Sequence, residues 1–154
     1  MAPAPRDIVF RIAPFGGALY RATALLRERL LRRPLGLALS EKDVEGEEGQ
    51  IHITACDAST GEVLGTVVLK PVSESVMKLR QLAVDSILLG GGLGRRLVTF
   101  AEDTALRQGA QEMETHARLT ARGFYEKLGY TAHGEPFTEV TVQTIRMVKA
   151  LYRL

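Results

Sequence analysis

The segment at residues 82–97 reads LAVDSILLGGGLGRRL. It opens with the apolar residues expected of a central strand and continues into a helix that stops at Gly109. Between the strand and the helix lie Gly90, Gly91, Gly92 and Gly94. Glycine allows a ligand to approach main-chain N–H groups closely, and the N-terminus of a helix favours an anion. The segment therefore predicts a strand, a turn that can hold a phosphate group, and a helix.

Two cations follow the glycines, Arg95 and Arg96. Positive charge in the first turn of a helix is unfavourable by roughly a few tenths of a kcal/mol, and a bound polyphosphate would remove that conflict. The turn is not a P-loop, because no Gly-Lys-Ser/Thr follows it. It is not a dinucleotide-binding G-x-G-x-x-G turn either, because Arg95 stands at the third glycine position. The alternative to a phosphate-binding turn is a glycine turn that binds no ligand and only lets the strand and the helix pack closely.

Length and composition predict the class of protein. The chain has 154 residues, 45% of them hydrophobic, which predicts a single domain spanning residues 1–154. Its one cysteine, Cys56, excludes an internal disulfide and so a disulfide-framed secreted module. The apolar runs are too short for a membrane span, and residues 1–5 are too short for a signal peptide. We therefore expect a cytoplasmic protein with no membrane partner.

The charges are almost balanced, with 20 basic and 18 acidic side chains and a net charge of +2. Such a balance gives no bulk attraction to nucleic acid. Seven of the basic side chains are arginines within residues 6–33. We therefore expect no nucleic-acid partner, and we interpret these arginines and the acidic residues 41–48 as solvated surface.

Periodicity predicts the remaining elements. Strands are predicted at residues 7–13, 50–56, 62–70, 76–84 and 111–117, with one or two more in 130–154. Helices are predicted at residues 18–31 and 119–128. The first of these helices ends because of Pro34, and its apolar face consists of Leu19, Ala22, Leu25, Leu26 and Leu30. The order of elements is that of a mixed α/β sheet with helices packed on it.

A second motif lies downstream of the glycines, where Ala121 precedes the run FYEKLGY at residues 124–130. In this order the two motifs resemble the signatures of the GCN5-related N-acetyltransferases (GNAT), and the tail is similar to small uncharacterised bacterial members. The resemblance covers most of the chain. It implies an acyl-CoA N-acyltransferase fold, with a central, mostly antiparallel sheet of six to seven strands flanked by about four helices.

The same resemblance implies acetyl-CoA, or coenzyme A, as the co-substrate. Backbone groups of Leu82 and Val84, on either side of Ala83, would pair with the pantetheine arm. Main-chain N–H groups would hold the pyrophosphate in a loop formed by Leu89, Gly90, Gly91, Gly92, Leu93, Gly94 and Arg95. Tyr125 stands where the family often has a general acid, and a phenol with a pKa of about 10 is neutral at pH 7.

The reaction implied is transfer of the acetyl group to a primary amine of a small molecule or peptide. Attack on the thioester needs a neutral amine, so a base must accept a proton. The candidates for this base are His116, Glu139 and Glu74. Three cations suggest that the acceptor carries a carboxylate or phosphate, namely Lys78, Arg80 and Arg118. No cluster of His, Cys, Asp and Glu has the spacing of metal ligands, so no metal is expected.

The sequence departs from the family pattern at three places. Leu89 replaces the customary Gln or Arg, Arg118 stands where many members have Asn, and residues 141–144 lack the histidine of the resembled branch. Leu89 and the missing histidine favour an alternative function, a non-catalytic CoA-binding sensor or scaffold, whereas Tyr125 favours the enzyme. A strand at the edge of the sheet in the tail is compatible with a homodimer.

Overall fold

The structure, a computed structural model, describes residues 7–85 and 91–152. Two residues predicted to bind phosphate, Leu89 and Gly90, lie outside the described residues. The described strands are β1 (Ile8–Ala13), β2 (Ile51–Asp57), β3 (Val63–Pro71), β4 (Val76–Val84), β5 (Glu112–Arg118), β6 (Thr131–Glu139) and β7 (Val142–Ala150). The α-helices in this part of the chain are α1 (Ala18–Arg27), α2 (Leu93–Arg107) and α3 (Arg122–Lys127).

The seven strands form one sheet in the order β1-β2-β3-β4-β5-β7-β6. Strand β4 pairs with β5 in parallel, whereas the pairs β1–β2, β5–β7 and β6–β7 are antiparallel. The predicted mixed, mostly antiparallel sheet is therefore confirmed, with three α-helices where about four were expected. None of the helices in the described ranges is long and apolar enough to cross a membrane.

The chain divides into two compact units, which are described separately. Unit 1 comprises Met1–Val68 and Gln81–Phe100, and unit 2 comprises Leu69–Arg80 and Ala101–Leu154. The core of unit 1 is built from apolar residues of β2, β3 and α2, including Ile53, Leu64, Val67, Leu97 and Val98. The core of unit 2 is built from β4, β5, β7 and α2, including Leu79, Ala105, Met113, Ile145 and Met147.

The prediction that Pro34 ends the first helical segment is wrong. After α1 the chain continues as a π-helix, Glu28–Arg32, and then as a 3-10 helix, Arg33–Leu35. Arg33 keeps helical angles, with φ −54° and ψ −41°. Proline is tolerated there because it lies in the first turn of the 3-10 helix, where its missing N–H would have no partner. The segment ends instead at Gly36, whose φ of +74° reverses the chain.

The predicted apolar face of α1 is also wrong in part. Leu25 is 68% exposed, and the buried side chains of α1 are Tyr20, Thr23, Leu26 and Arg27. Arg27 is buried because it forms an ion pair with Glu47, and both side chains are 0% exposed. The expectation that residues 41–48 and the arginines before them are solvated is therefore wrong for this pair, and the pair Arg32–Asp43 is also largely buried.

Helix α2 lies close to β3 at Gly65. A Cβ atom at this position would lie 2.8 Å from Leu97 Cδ1 and 3.4 Å from the Ala83 carbonyl oxygen. The first of these distances is shorter than a van der Waals contact, so a larger residue would force either the Leu97 side chain or the helix to move. Gly65 therefore allows the close packing that places the N-terminus of α2 beside β4.

Candidate active site

Strand β4 has an unusual backbone conformation at Gln81. The φ angle of Gln81 is +51°, in the left-handed region that residues other than glycine rarely adopt. Beyond it, Ala83 is buried, while Leu82 and Val84 are partly exposed. The sequence carried a signal of this feature, because the alternation of apolar and cationic residues in β4 stops at Gln81. Gln81 is not among the site residues predicted from the sequence.

The described part of the glycine turn has the geometry of an anion cradle. Gly92 has φ +82°, and its carbonyl oxygen accepts the first helical hydrogen bond, from Arg96 N at 3.0 Å. The N–H groups of Leu93, Gly94 and Arg95 belong to the first turn of α2, and N–H groups at this place in a helix have no partner within the helix and can donate to an anion. Arg95 Nη2 lies only 3.6 Å from the position that a Cβ of Gly92 would occupy. The guanidinium of Arg95 therefore lies over the turn and adds positive charge there.

Arg96 has a different role from Arg95. Its guanidinium lies over the ring of Phe10, 5.2 Å from the centroid, and Phe10 stacks on Phe100 with centroids 5.0 Å apart. Cation–π contact of this kind stabilises an arginine near a surface by about 0.5–1 kcal/mol. Arg95 is thus the first-turn cation that faces the glycine turn, and Arg96 packs α2 against β1.

Tyr125 is a buried residue of α3 in unit 2. Its ring makes edge-to-face contacts with Phe124 and Tyr130, with centroids 5.0 and 5.4 Å apart. Burial raises the pKa of the phenol to about 12, although a hydrogen bond with Thr115 acts in the opposite direction. Tyr125 is therefore protonated across the physiological range and has a proton to donate.

A polar cluster lies on the other face of β5, formed by Lys78, His116 and Glu139. His116 Nδ1 lies 3.2 Å from Lys78 Nζ and 3.3 Å from Glu139 Oε2. The ring of Phe137 packs edge-to-face on the imidazole at 5.2 Å. Burial lowers the pKa of Lys78, and the negative charges of Glu139 and Glu114 partly oppose this effect. The arrangement can accept a proton on the imidazole and hold the ring in one orientation.

The structure thus brings two of the three candidate bases together. Glu139 is the last residue of β6, not part of a loop as the sequence suggested, and this position brings it to His116. Glu74 is exposed in the connection between β3 and β4. Only the first two candidates therefore form a joined pair.

The predicted acceptor cations share a face with this cluster. Side chains alternate along a strand, so Arg118 lies on the same face of β5 as His116, and Arg80 on the same face of β4 as Lys78. Arg80 is close enough for its charge to lower the pKa of Lys78 further. Within the described ranges, no group of three or more His, Cys, Asp or Glu residues is placed to hold a metal ion.

Comparison with known sequences identifies a family. The profile of the acetyltransferase (GNAT) domain matches residues 38–151. A protein of Streptococcus pyogenes, named as an uncharacterised acetyltransferase in the arcA 3′ region, is 26% identical over 95 residues, which make up 62% of this chain and 61% of that protein. The match therefore spans about three fifths of this curated relative.

Comparison with solved structures gives the same result over nearly the whole chain. A crystal structure of a candidate N-acetyltransferase from Lactobacillus plantarum has a TM-score of 0.81 and 27% identity, covering 95% of this chain and 98% of that one. A GNAT family acetyltransferase from Elizabethkingia anophelis, with acetyl-CoA bound, has a TM-score of 0.71 over 94% of this chain and 98% of that one. At 16% identity, this similarity is evidence for the fold alone. Since the domain profile covers most of the sequence, the chain belongs to the GNAT acetyltransferase family.

Proposed function

We propose that this protein is an N-acetyltransferase that moves the acetyl group of acetyl-CoA to a primary amine of a small molecule or peptide. The observation that carries the proposal is the turn at Gly92, where the N-terminus of α2 begins and the guanidinium of Arg95 lies over the turn. A pyrophosphate suits this point because both its charge and its oxygens would be matched. Leu82, Ala83 and Val84 would receive the pantetheine arm along β4.

The reaction forms one bond and breaks another. The nitrogen of the neutral amine attacks the thioester carbonyl carbon, a C–N bond forms, and the C–S bond of acetyl-CoA breaks. The amine loses one proton, and the departing thiolate of CoA gains one. The chain must therefore supply a proton acceptor on the amine side and a donor on the sulfur side.

His116 is the proposed proton acceptor. With Nδ1–H directed to the carboxylate of Glu139, the Nε2 atom would take the proton from the amine. The ammonium of Lys78 competes for the same Nδ1 atom. Glu139 therefore acts in the proposal as the group that selects the tautomer of His116.

Tyr125 is the proposed general acid. With a pKa of about 12, its phenol holds its proton more firmly than a thiol does, whose ordinary pKa is about 8.5. Tyr125 therefore acts mainly as a hydrogen-bond donor to the sulfur while the negative charge develops. The final proton then reaches the sulfur through Tyr125 from solvent, which leaves the phenol unchanged after each cycle.

The proposal has three further parts, which are the location of the protein, its oligomeric state and its domain organisation. A buried, free Cys56 suits a reducing compartment, and we place the enzyme in the cytoplasm. Strand β6 is the last strand in the order of the sheet, and we propose it as the contact of a homodimer. The single domain at residues 1–154, predicted from the length of the chain, stays part of the proposal.

Binding of CoA is the first test. Thermal unfolding would be followed with and without CoA and acetyl-CoA, each at about 100 times its Kd, where binding to the folded state adds about 2.7 kcal/mol of stability. We expect both compounds to raise the Tm. If neither compound changes the Tm, the central part of the proposal is wrong.

Release of CoA thiol separates the enzyme from a non-catalytic sensor. We expect thiol release from acetyl-CoA in the presence of a mixed panel of primary amines, and we expect this rate to fall in Tyr125→Phe. Binding of CoA with no thiol release under any condition would instead support the sensor or scaffold.

A further inference from the structure

Two arginines of one helical segment reach the two ends of the segment expected to bind pantetheine. Arg27, the last residue of α1, donates from Nη1 to Gln81 Oε1 at 2.8 Å. Arg29, in the π-helix that follows, donates from Nη2 to Asp85 Oδ2 at 3.0 Å. Gln81 and Asp85 are the residues immediately before and after residues 82–84. Residues 82–84 are therefore held at both ends by a side-chain hydrogen bond from an arginine, and each of these two bonds is called a tie.

The first tie is rigid because Arg27 is itself fixed. Its Nη1 and Nη2 atoms donate to the two carboxylate oxygens of Glu47 at 2.7 and 3.0 Å, and both side chains are 0% exposed. The hydroxyl of Tyr20 donates to Glu47 Oε1 at 2.7 Å. A buried ion pair is seldom more stabilising than well-packed apolar residues, so its presence is better explained by the position that it enforces.

Gln81, the residue at the first tie, needs the support of a fixed arginine. A glutamine at φ +51° is strained and stays in place only when its surroundings hold it. Both polar atoms of the Gln81 side chain form hydrogen bonds. Oε1 accepts from Arg27, and Nε2 donates to the Asp43 carbonyl oxygen at 3.3 Å. These bonds stabilise the unusual backbone conformation of β4 at Gln81.

The second tie fixes the far end of the segment. The side chain of Asp85 is only 11% exposed, and its main-chain N–H donates to the Leu64 carbonyl oxygen at 2.7 Å. The Arg29 side chain is half exposed, so the contact closes over a nearly buried carboxylate from the solvent side. Backbone from β3 and a side chain from the π-helix therefore hold Asp85 together.

We propose that Arg27 and Arg29 are positioning residues that hold the backbone of residues 82–84 ready to pair with the pantetheine arm of CoA. This inference rests on the proposed function. A segment that is already ordered loses less conformational entropy when the ligand binds, and the ligand therefore binds more tightly. Loss of either tie should weaken binding of the pantetheine part of CoA and leave binding of the pyrophosphate part unchanged.

The experiment compares two ligands on two variants. Isothermal titration measures the Kd for CoA and for ADP, which has a pyrophosphate but no pantetheine arm. Gln81→Asn keeps a side chain that tolerates positive φ but is one methylene shorter, so it cannot reach Arg27 in the same way. Arg29→Ala removes the second tie. Neither variant disturbs the buried ion pair, so both are expected to fold.

Matched controls show whether the effect belongs to the ties. Arg33→Ala removes another exposed arginine nearby, whose ion pair with Glu28 at 3.8 Å does not involve β4. Arg29→Lys keeps a cation that can reach Asp85 and should recover most of the loss. Arg33→Ala should leave the Tm unchanged, because exposed ion pairs contribute little to stability. Arg29→Ala should lower the Tm slightly, because the nearly buried Asp85 carboxylate loses a partner.

We expect the Kd for CoA to rise about 3- to 10-fold in Gln81→Asn and Arg29→Ala, with the Kd for ADP unchanged. If both variants bind CoA within twofold of the wild type, the positioning role is wrong. It is also wrong if the Kd values for CoA and ADP rise equally, which would indicate a general structural defect. If the wild type binds neither ligand, it is the proposed function that fails.

Discussion

Tyr125 is hydrogen-bonded to Thr115, the residue of β5 that immediately precedes His116. Successive side chains of a strand point to opposite faces, so Tyr125 and His116 lie on opposite faces of β5. The strand therefore separates a buried phenol, which keeps its proton, from a partly exposed imidazole, which can accept one. This separation agrees with the two proton transfers of the proposed reaction, which take place on different atoms.

Replacement of Tyr125 by Phe tests the proposed donor. The substitution keeps the ring and its contacts but removes the hydroxyl, so we expect a fall on the order of 100-fold in the rate of thiol release. The Kd for CoA should not change. Tyr152→Phe is a matched control, because Tyr152 is an exposed tyrosine whose loss should leave the rate unaltered. A wild-type rate in Tyr125→Phe would contradict a role for the phenol in the reaction.

The pH dependence of the wild-type enzyme tests the state of the same phenol. Burial raises its pKa to about 12, so the active, protonated form should persist up to about pH 11. An ordinary phenol, with a pKa of about 10, would begin to lose its proton near pH 9. We therefore expect that titration of Tyr125 causes no fall in kcat/KM of the wild type between pH 7 and 10.5. The pH profiles of the wild type and Tyr125→Phe should then have the same shape over this range. A fall in kcat/KM near pH 10 that is present in the wild type and absent in Tyr125→Phe would show that the phenol has its ordinary pKa.

Replacement of His116 by Asn tests the proposed base. We expect a fall of about 100-fold or more at neutral pH, and a smaller fall in Glu139→Gln, which removes only the group that orients the imidazole. Since the variant must use amine that is already neutral, its rate should recover as the pH approaches the pKa of the amine. His133→Asn replaces an exposed histidine of β6 and serves as the control. Equal rates in His116→Asn and in this control would exclude His116 as the base.

The charge of the acceptor is tested by Arg80→Ala and Arg118→Ala. Both arginines share the sheet face of the polar cluster, so an acceptor with a carboxylate or phosphate would lose an ion pair in each variant. We expect kcat/KM to fall at least 10-fold more for anionic amines than for neutral amines of similar size. Rates would be measured with one panel of both kinds. An equal fall for both classes would show that the acceptor need not be anionic.

Local sequence patterns were sufficient wherever a structural element is decided by its own residues. Strand β4 has the predicted bounds, Val76–Val84, because alternating apolar side chains lie between Pro71 and the glycines. Two strands, β6 and β7, form the tail, in agreement with the predicted one or two. The helix that carries Tyr125 was predictable for the same reason, since it belongs to a short continuous motif.

Features that depend on distant partners could not be predicted in this way. Arg27 was placed on a solvated surface because its partner Glu47 lies 20 residues away and approaches only in the folded chain. The conformation of Gln81 depends on an arginine 54 residues away. His116 and Glu139 were each named as candidates, but their contact requires the registers of β5 on β7 and of β7 on β6.

Asp43 is expected to make stability depend on pH in the acid range. Burial alone would raise its pKa, but hydrogen bonds from Arg32 and Ser40 outweigh this effect and lower the pKa to about 2 from the ordinary 3.8. A carboxyl with a lowered pKa stabilises the folded state above its ordinary pKa, and this stability is lost as the pH falls through about 2. The contribution at pH 7 is roughly 1–2 kcal/mol.

Urea unfolding of Asp43→Asn at several pH values measures this contribution. The variant should be less stable than the wild type at pH 7, and the difference should shrink below pH 4. Asp103→Asn, on the exposed side of α2, should show little difference at any pH. A difference between Asp43→Asn and the wild type that stays constant from pH 7 to pH 2 would show that the charge of Asp43 is not its cause.

Gly65 connects the packing of α2 to the glycine turn. In Gly65→Ala the new Cβ would lie 2.8 Å from Leu97 Cδ1, so either that side chain or the helix must move, at a cost of about 1–3 kcal/mol in the free energy of unfolding. A displaced helix carries its N-terminal N–H groups with it, and we therefore also expect a higher Kd for ADP. Gly49→Ala is the control, since its Cβ would meet no atom within 4 Å. Loss of stability without any change in the Kd for ADP would show that Leu97 yields and the turn stays in place.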